Sequence, residues 1–128
     1  MKRHISYSTG TSGSLSSTAA VIACGHVASS SAIAPRDRVR AGSVTLAWDT
    51  EAGSPTEVTW WLTRDAAGDV GVTDAATTPV VAGQTAATGF VASRLDVPMV
   101  TDGTAFYVWA QFDTGTASVV DCTVAWEA

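Results

Sequence analysis

Large apolar residues alternate with smaller or polar residues in three aromatic segments of the chain. These segments are Val44 to Trp48, Glu57 to Asp65 and Phe106 to Asp113. An alternation of period two places every second side chain on the same face of a β-strand. No window of twelve or more residues repeats with the 3.6-residue period of a helix. The pattern therefore predicts an all-β domain without a long helix.

Four strands have one face that the alternation marks as apolar. The residues expected to face inward are Val44, Leu46 and Trp48; Val58, Trp60 and Leu62; Phe106, Val108, Ala110 and Phe112; and Val120, Cys122, Val124 and Trp126. The turn residues Asp113 to Thr116 separate the last two strands and predict a hairpin. Counting the remaining runs predicts an antiparallel β-sandwich or jelly roll of about eight strands.

The chain has the length of one domain, and its first third differs in composition from the rest. Ile5 to Thr18 is rich in Ser, Gly and Thr, as in an extended segment. We expect residues 1–34 to form an extended N-terminal arm with possible short strands. Residues 35–128 are then expected to form the β-sandwich domain.

Some strands carry large side chains on both faces. Trp61 lies on the face opposite Trp60, and Tyr107 and Trp109 lie opposite the inward residues of their strand. Only one face of each strand belongs to the core, so the other needs cover from a loop, the arm or another chain. The single lysine, Lys2, also leaves the sheet edges without their usual charged protection. We therefore predict that Trp61, Tyr107 and Trp109 contact a partner, with packing of the arm over that face as the alternative.

Charge is unevenly distributed along the chain. Residues 1–40 carry five basic residues against Asp37, a net charge of +4, whereas residues 41–128 carry two arginines against eleven acids, a net charge of −9. The acidic body argues against a nucleic-acid surface. The basic residues could bind an acidic partner surface or the chain's own acidic body. The predicted basic contacts are Lys2, Arg3, Arg36, Arg38 and Arg40.

The two cysteines, Cys24 and Cys122, fit neither a metal knuckle nor a Cys-x-x-Cys redox pair. Two buried thiols are the favoured interpretation, and a disulfide is possible if the fold brings the two Cα atoms within about 7 Å. No apolar run approaches the length of a membrane-spanning helix, so no membrane contact is expected.

The sequence also lacks the usual arrangements of catalytic residues. Its histidines are His4 and His26, and no Gly-x-Ser-x-Gly elbow occurs. Asp65 to Asp69 has too few alternating oxygen ligands for a calcium loop and is predicted to be a plain turn. We expect no enzymatic activity, no catalytic residues, no cofactor and no metal.

Three stretches resemble those of small virion proteins of tailed bacteriophages. They are Glu57 to Asp69, Leu95 to Tyr107 and Ala110 to Trp126, and the resemblance covers roughly residues 40 to 128. It implies a capsid decoration or cement subunit, a compact β-sandwich that reinforces the capsid surface through its arm and sheet edges. The implied partners are the major capsid protein or neighbouring copies of the chain, in a homo- or hetero-oligomeric assembly. A tail-associated structural domain is a variant of the same hypothesis.

A second hypothesis is a carbohydrate- or receptor-binding module. It rests on Trp61, Trp109 and Tyr107, because an exposed aromatic ring can stack on a sugar. Core packing is the simpler interpretation of each ring, and burial of all five tryptophans would argue against sugar binding.

Overall fold

The computed structural model describes residues 4–8, 10–11, 14–27, 38–90, 99–100 and 105–127. All regular secondary structure in these ranges is β. None of it forms a helix long and apolar enough to cross a membrane.

Eleven strand segments occur in the described ranges. They are β1 (His4–Ser8), β2 (Gly10–Thr11), β3 (Ser14–Leu15), β4 (Ala20–His26), β5 (Arg38–Ala52), β6 (Glu57–Thr63), β7 (Ala76–Pro79), β8 (Ala86–Phe90), β9 (Met99–Val100), β10 (Ala105–Phe112) and β11 (Thr116–Glu127). Three of them, β2, β3 and β9, have two residues each, and the other eight are longer. The predicted all-β fold of about eight strands is confirmed.

The strands form two antiparallel sheets. Sheet 1 has the order β1-β11-β5-β8, with β3 also paired to β11 and β9 to β5. Sheet 2 has the order β2-β4-β10-β6-β7. The first 27 residues thus contribute strands to both sheets, and Leu15, Ile22 and Val27 are fully buried. The predicted boundary at residues 34 and 35 lies outside the described residues.

The core lies between the two sheets and is rich in aromatic rings. Trp48 of sheet 1 meets Phe112 of sheet 2 edge to face, with ring centroids 5.3 Å apart. Trp126 and Phe106 form a second such pair at 5.2 Å. Both pairs cross the interface, so they fix how the sheets lie against each other. The other large buried side chains are Trp60, Leu15, Ile22, Leu46, Leu62 and Val27.

Two short connections carry the chain from one sheet to the other. Residues 53–56 take it from β5 in sheet 1 to β6 in sheet 2, and residues 113–115 return it from β10 in sheet 2 to β11 in sheet 1. The predicted β10–β11 hairpin is therefore wrong. β10 pairs with β4 and β6, whereas β11 pairs with β1, β3 and β5. The two strands lie in opposite sheets and both turn alternate side chains into the core. A hairpin would bury the same alternate residues, so the sequence pattern fits either arrangement.

The two connecting loops contact each other at glycines. Gly53 and Gly115 have φ values of 78° and 83°, which favour glycine. A Cβ on Gly115 would lie 2.8 Å from the carbonyl oxygen of Ala52. The carboxylate of Asp113 joins the same loops by accepting hydrogen bonds from the amides of Thr56 and Glu57, at 2.9 and 3.0 Å, and from the Thr56 hydroxyl. These hydrogen bonds, with that of the Thr56 hydroxyl first, lower the pKa of Asp113 to about 2.

A bulge in β11 changes which of its residues face inward. The pairing with β5 shifts between Val119 and Asp121, and Val120 is 54% exposed. The prediction that Val120 faces inward with Cys122 is therefore wrong, because the extra residue resets the alternation. The other predicted inward residues, in all four strands, are buried.

Candidate binding site on the outer face of sheet 2

The three aromatic residues predicted to contact a partner lie together on the outer face of sheet 2. Trp61 is on β6, and Tyr107 and Trp109 are on β10. Trp61 and Trp109 are directly opposite each other in the strand register. All three side chains are half-buried, whereas Trp48, Trp60 and Trp126 are fully buried. The tryptophans therefore divide into a core set and an outer pair.

The basic residues predicted to contact a partner are not seen at this face. Arg38 and Arg40 belong to β5 of sheet 1, where only their backbone is described. Lys2, Arg3 and Arg36 lie outside the described residues. Their predicted role stays a prediction.

The outer tryptophan pair is held in a fixed arrangement. The two indole rings are nearly parallel, at 8°, with centroids 6.0 Å apart. Nε1 of Trp109 donates a hydrogen bond to the Thr63 hydroxyl at 2.9 Å. Gly68 packs so closely on the same ring that a Cβ there would lie 3.0 Å from it. The hydrogen bond to Thr63 and the contact with Gly68 thus hold Trp109 in place, and Trp109 stacks on one face of Trp61.

The turn that follows β6 brings Gly68 onto Trp109. The Asp65 carboxylate accepts hydrogen bonds from the amides of Val70, at 2.8 Å, and Asp69, at 3.1 Å. The Val70 hydrogen bond is the main cause of a lowered pKa at Asp65. The Thr63 hydroxyl donates to the Asp65 carbonyl at 2.8 Å, and Gly68 has a φ of 81°. The predicted turn at Asp65 to Asp69 is confirmed.

After the turn, the chain runs back along β6 and forms one wall of a groove. Val72 donates its amide to the carbonyl of Leu62 at 2.9 Å, and the buried hydroxyl of Thr73 accepts the amide of Leu62 at 2.9 Å. The open groove beside Trp61 has a volume of about 370 Å³. It is lined by Trp61, Thr63, Gly68, Asp69, Gly71, Thr73 and Ala75. The sequence singled out Trp61 but gave no signal for the groove, which depends on the path of residues 64–75.

The cysteines lie on different surfaces of the fold. Cys24 is exposed on the outer face of sheet 2, opposite Tyr107 in the register, whereas Cys122 is buried on the inner face of sheet 1. No disulfide joins them. The expectation that both thiols are buried is wrong for Cys24. A bulge between β4 and β10 makes both Ile22 and Ala23 face the core, which turns Cys24 outward.

A second surface is formed by an edge of the sandwich without charge. β7 ends sheet 2 and β8 ends sheet 1 among the described strands, and residues 75–90, which contain both strands, include no charged residue. Val81, in the connection between them, is 71% exposed. We call residues 75–90 the uncharged edge. The absence of charge between Asp74 and Arg94 is visible in the sequence, but the placement of both strands at sheet ends is not.

Among the described residues, no group of three or more His, Cys, Asp or Glu side chains is placed to hold a metal ion. His26 is exposed at the end of β4.

No protein-family model matches this chain. No curated protein sequence matches it either. Similar solved structures include a Bacillus endospore appendage of a disulfide-linked pilus family, with 17% identity, a TM-score of 0.42 and coverage of 98% of this chain and 83% of that one. FlhE gives 10% identity, a TM-score of 0.43 and coverage of 99% and 95%, and a chain of the cyanophage Pam1 capsid gives 18% identity, a TM-score of 0.25 and coverage of 98% and 78%. At these scores the similarities carry no information on function.

Proposed function

We propose that this chain is a non-enzymatic structural subunit of a virion, a capsid decoration or cement protein that binds the shell through its sheet edges. The uncharged edge is the observation that carries the proposal. Proteins that work alone commonly protect edge strands with lysine, other charges or a covering segment. Here both edge strands lack charge, and the loop that joins them exposes Val81.

β8 is the better of the two strands for pairing with a partner. β7 ends at Pro79, which has no amide hydrogen to donate. β8 runs from Ala86 to Phe90 without a proline. A strand from the shell, or from a neighbouring copy, can extend sheet 1 at β8 through backbone hydrogen bonds. These backbone hydrogen bonds need no charged side chains, so a strand of mostly alanine, threonine and glycine can form them.

Charge gives the proposed contact its orientation. Residues 41–128 have a net charge of −9, and the basic residues are concentrated before residue 41. A partner surface with acidic patches opposite Arg36, Arg38 and Arg40 would be attracted by these residues and repelled by the acidic body. We propose the major capsid protein as this partner, with neighbouring copies as the second contact.

The edge contact is tested with a lysine placed on β8. Ala86 and Thr88 have exposed side chains, so Ala86→Lys and Thr88→Lys put charge at the edge without entering the core. We expect the wild-type chain to sediment with empty capsid shells of its phage, and both variants to lose most of this binding. Val120→Lys, at an exposed position on β11, is the matched control and should still bind.

Two outcomes contradict the proposal in different ways. If the wild-type chain does not bind shells, the role as a decoration subunit is wrong. If Ala86→Lys and Thr88→Lys bind as well as the wild type while remaining folded, the subunit uses another surface.

The basic residues are best tested by the substitutions Arg36→Glu and Arg38→Glu. Deletion of residues 1–27 is unsuitable, because it would remove strands from both sheets.

A further inference from the structure

The groove beside Trp61 has the features of a small-ligand site rather than of a gap in packing. Its volume of about 370 Å³ lies within the range of small-molecule sites, roughly 300 to 1,000 Å³. Three of its lining residues, Gly68, Gly71 and Ala75, have little or no side chain, which keeps it open. The groove lies on sheet 2 and shares Ala75 with the uncharged edge, whereas β8, the strand proposed to pair with the capsid, belongs to sheet 1.

One wall of the groove is a rigid indole. Trp109 stacks on one face of Trp61, and Trp61 but not Trp109 lines the groove. Since Trp109 is itself held by Thr63 and Gly68, the indole of Trp61 is positioned before any ligand arrives. A preformed flat apolar wall binds a flat apolar ligand face with little loss of side-chain entropy.

The polar groups that line the groove are one carboxylate and two hydroxyls. Asp69 is exposed and enters the turn through its amide, which donates to Asp65. The Thr63 hydroxyl is engaged on both sides, because it donates to Asp65 and accepts from Trp109. The Thr73 hydroxyl is buried and accepts from the amide of Leu62. Asp69 is therefore the polar side chain of the lining that a ligand can engage, as an acceptor.

From this arrangement we infer that the groove binds a neutral saccharide, with the apolar face of a sugar ring on Trp61 and ring hydroxyls on Asp69. A pyranose ring joins an apolar C–H face to a rim of hydroxyls, which matches an indole beside a carboxylate. Among the described residues that line the groove, Asp69 is the one with a charged side chain. An acidic sugar would meet this carboxylate directly and be repelled by it, so the ligand is neutral.

A peptide fits the groove less well, because the backbone groups that could hold it are in use. The amide and the carbonyl of Leu62 bond to Thr73 and Val72, and Thr63 bridges to Gly71. A peptide strand would therefore find no free row of backbone donors and acceptors on this side of β6. A sugar needs none.

The test is a glycan array with the full chain, followed by titration of intrinsic tryptophan fluorescence with the neutral oligosaccharides that bind. Removing the stacking surface with Trp61→Ala should weaken binding by about tenfold or more, and Trp61→Phe should restore part of it. Asp69→Asn should weaken binding by a similar factor, since the amide is a poorer acceptor than the carboxylate. Val120→Ala, at an exposed position outside the lining, should bind like the wild type.

Several results would overturn the inference. They are the absence of any neutral saccharide ligand for the folded protein, binding that survives Trp61→Ala, and a clear preference for acidic glycans or for lysine- and arginine-containing peptides. Circular dichroism of each variant separates loss of binding from loss of folding. Capsid binding is measured for these groove variants and for Ala86→Lys side by side, so failure at the groove and failure at the edge are distinguishable.

Discussion

Trp60 and Trp61 are neighbours in β6 and have opposite environments. Trp60 points into the core and is fully buried, and its indole nitrogen has no hydrogen-bond partner among the described residues. Trp61 points outward, is half-buried, and stacks on a ring that is itself hydrogen-bonded. Because a strand alternates its faces, one residue step separates a tryptophan that holds the sheets together from one that can meet a ligand. The same residue type therefore serves stability on one face and, in the proposed saccharide site, recognition on the other.

Truncation of each ring should separate the two environments most clearly. Trp60→Ala should lower the free energy of unfolding by about 3 to 5 kcal/mol, because it leaves a cavity between the sheets. Trp61→Ala opens no cavity in the core and should lower it by about 1 kcal/mol. Chemical denaturation of both variants checks the difference. Equal losses would mean that the outer face of sheet 2 is part of the stability core.

The inward face of β6 was predictable from the sequence, and so were those of β5 and β10. Val58, Trp60 and Leu62 alternate without interruption, and the register of β6 with β10 has no bulge. Where a bulge occurs, the alternation fails. The alternation predicts an inward Val120 because the sequence does not show the extra residue opposite β5.

The pairing of the strands was much less predictable than their faces. A short loop containing Gly115 fits either a hairpin or a crossing between sheets, and in both cases the flanking strands bury alternate residues. The deciding contacts are tertiary: Gly115 against Ala52, and Asp113 against Thr56. The groove is harder still, because residues 64–75 show no period and are placed by hydrogen bonds to Thr63 and Leu62.

The crossing loops decide which sheet each strand joins, and Gly115→Ala tests them. An added Cβ would meet the Ala52 carbonyl oxygen at 2.8 Å in a backbone conformation that disfavours side chains. We expect a loss of about 2 to 3 kcal/mol in the free energy of unfolding. Gly83→Ala is a matched control, since Gly83 has a φ of 82° and no atom within 4 Å of the new Cβ. A loss at Gly83 equal to that at Gly115 would show that conformational strain alone, and not the loop contact, sets the effect.

The wall of the groove is tested by Thr73→Val, which keeps the shape of the side chain and removes its hydroxyl. The amide of Leu62 then loses its acceptor in a buried position, and we expect a loss of about 1 to 2 kcal/mol. Thr77→Val is the control, because Thr77 is exposed and its hydroxyl bonds to the Thr59 hydroxyl rather than to a buried backbone amide. Thermal unfolding of both variants provides the measurement. If Thr73→Val is neutral, the return segment is held by its backbone hydrogen bonds alone.

Asp113 provides the smallest effect, and one that depends on pH. Its pKa is about 2 in the folded chain, below the ordinary value of 3.8, since its carboxylate accepts hydrogen bonds from Thr56 and Glu57. The unfolded chain therefore takes up this proton at a higher pH than the folded chain. The resulting stabilisation is complete above pH 4 and is lost as the pH falls from about 4 to 2. Asp113→Asn should lower the free energy of unfolding at pH 7 and flatten this part of the pH profile.

Asp65 has a pKa lowered in the same direction by the Val70 amide, so a weaker dependence of stability on pH should remain until Asp65→Asn is added. Urea denaturation at half-unit pH steps checks both variants, and a profile for Asp113→Asn that runs parallel to the wild type would show that the carboxylate does not hold the two crossing loops together.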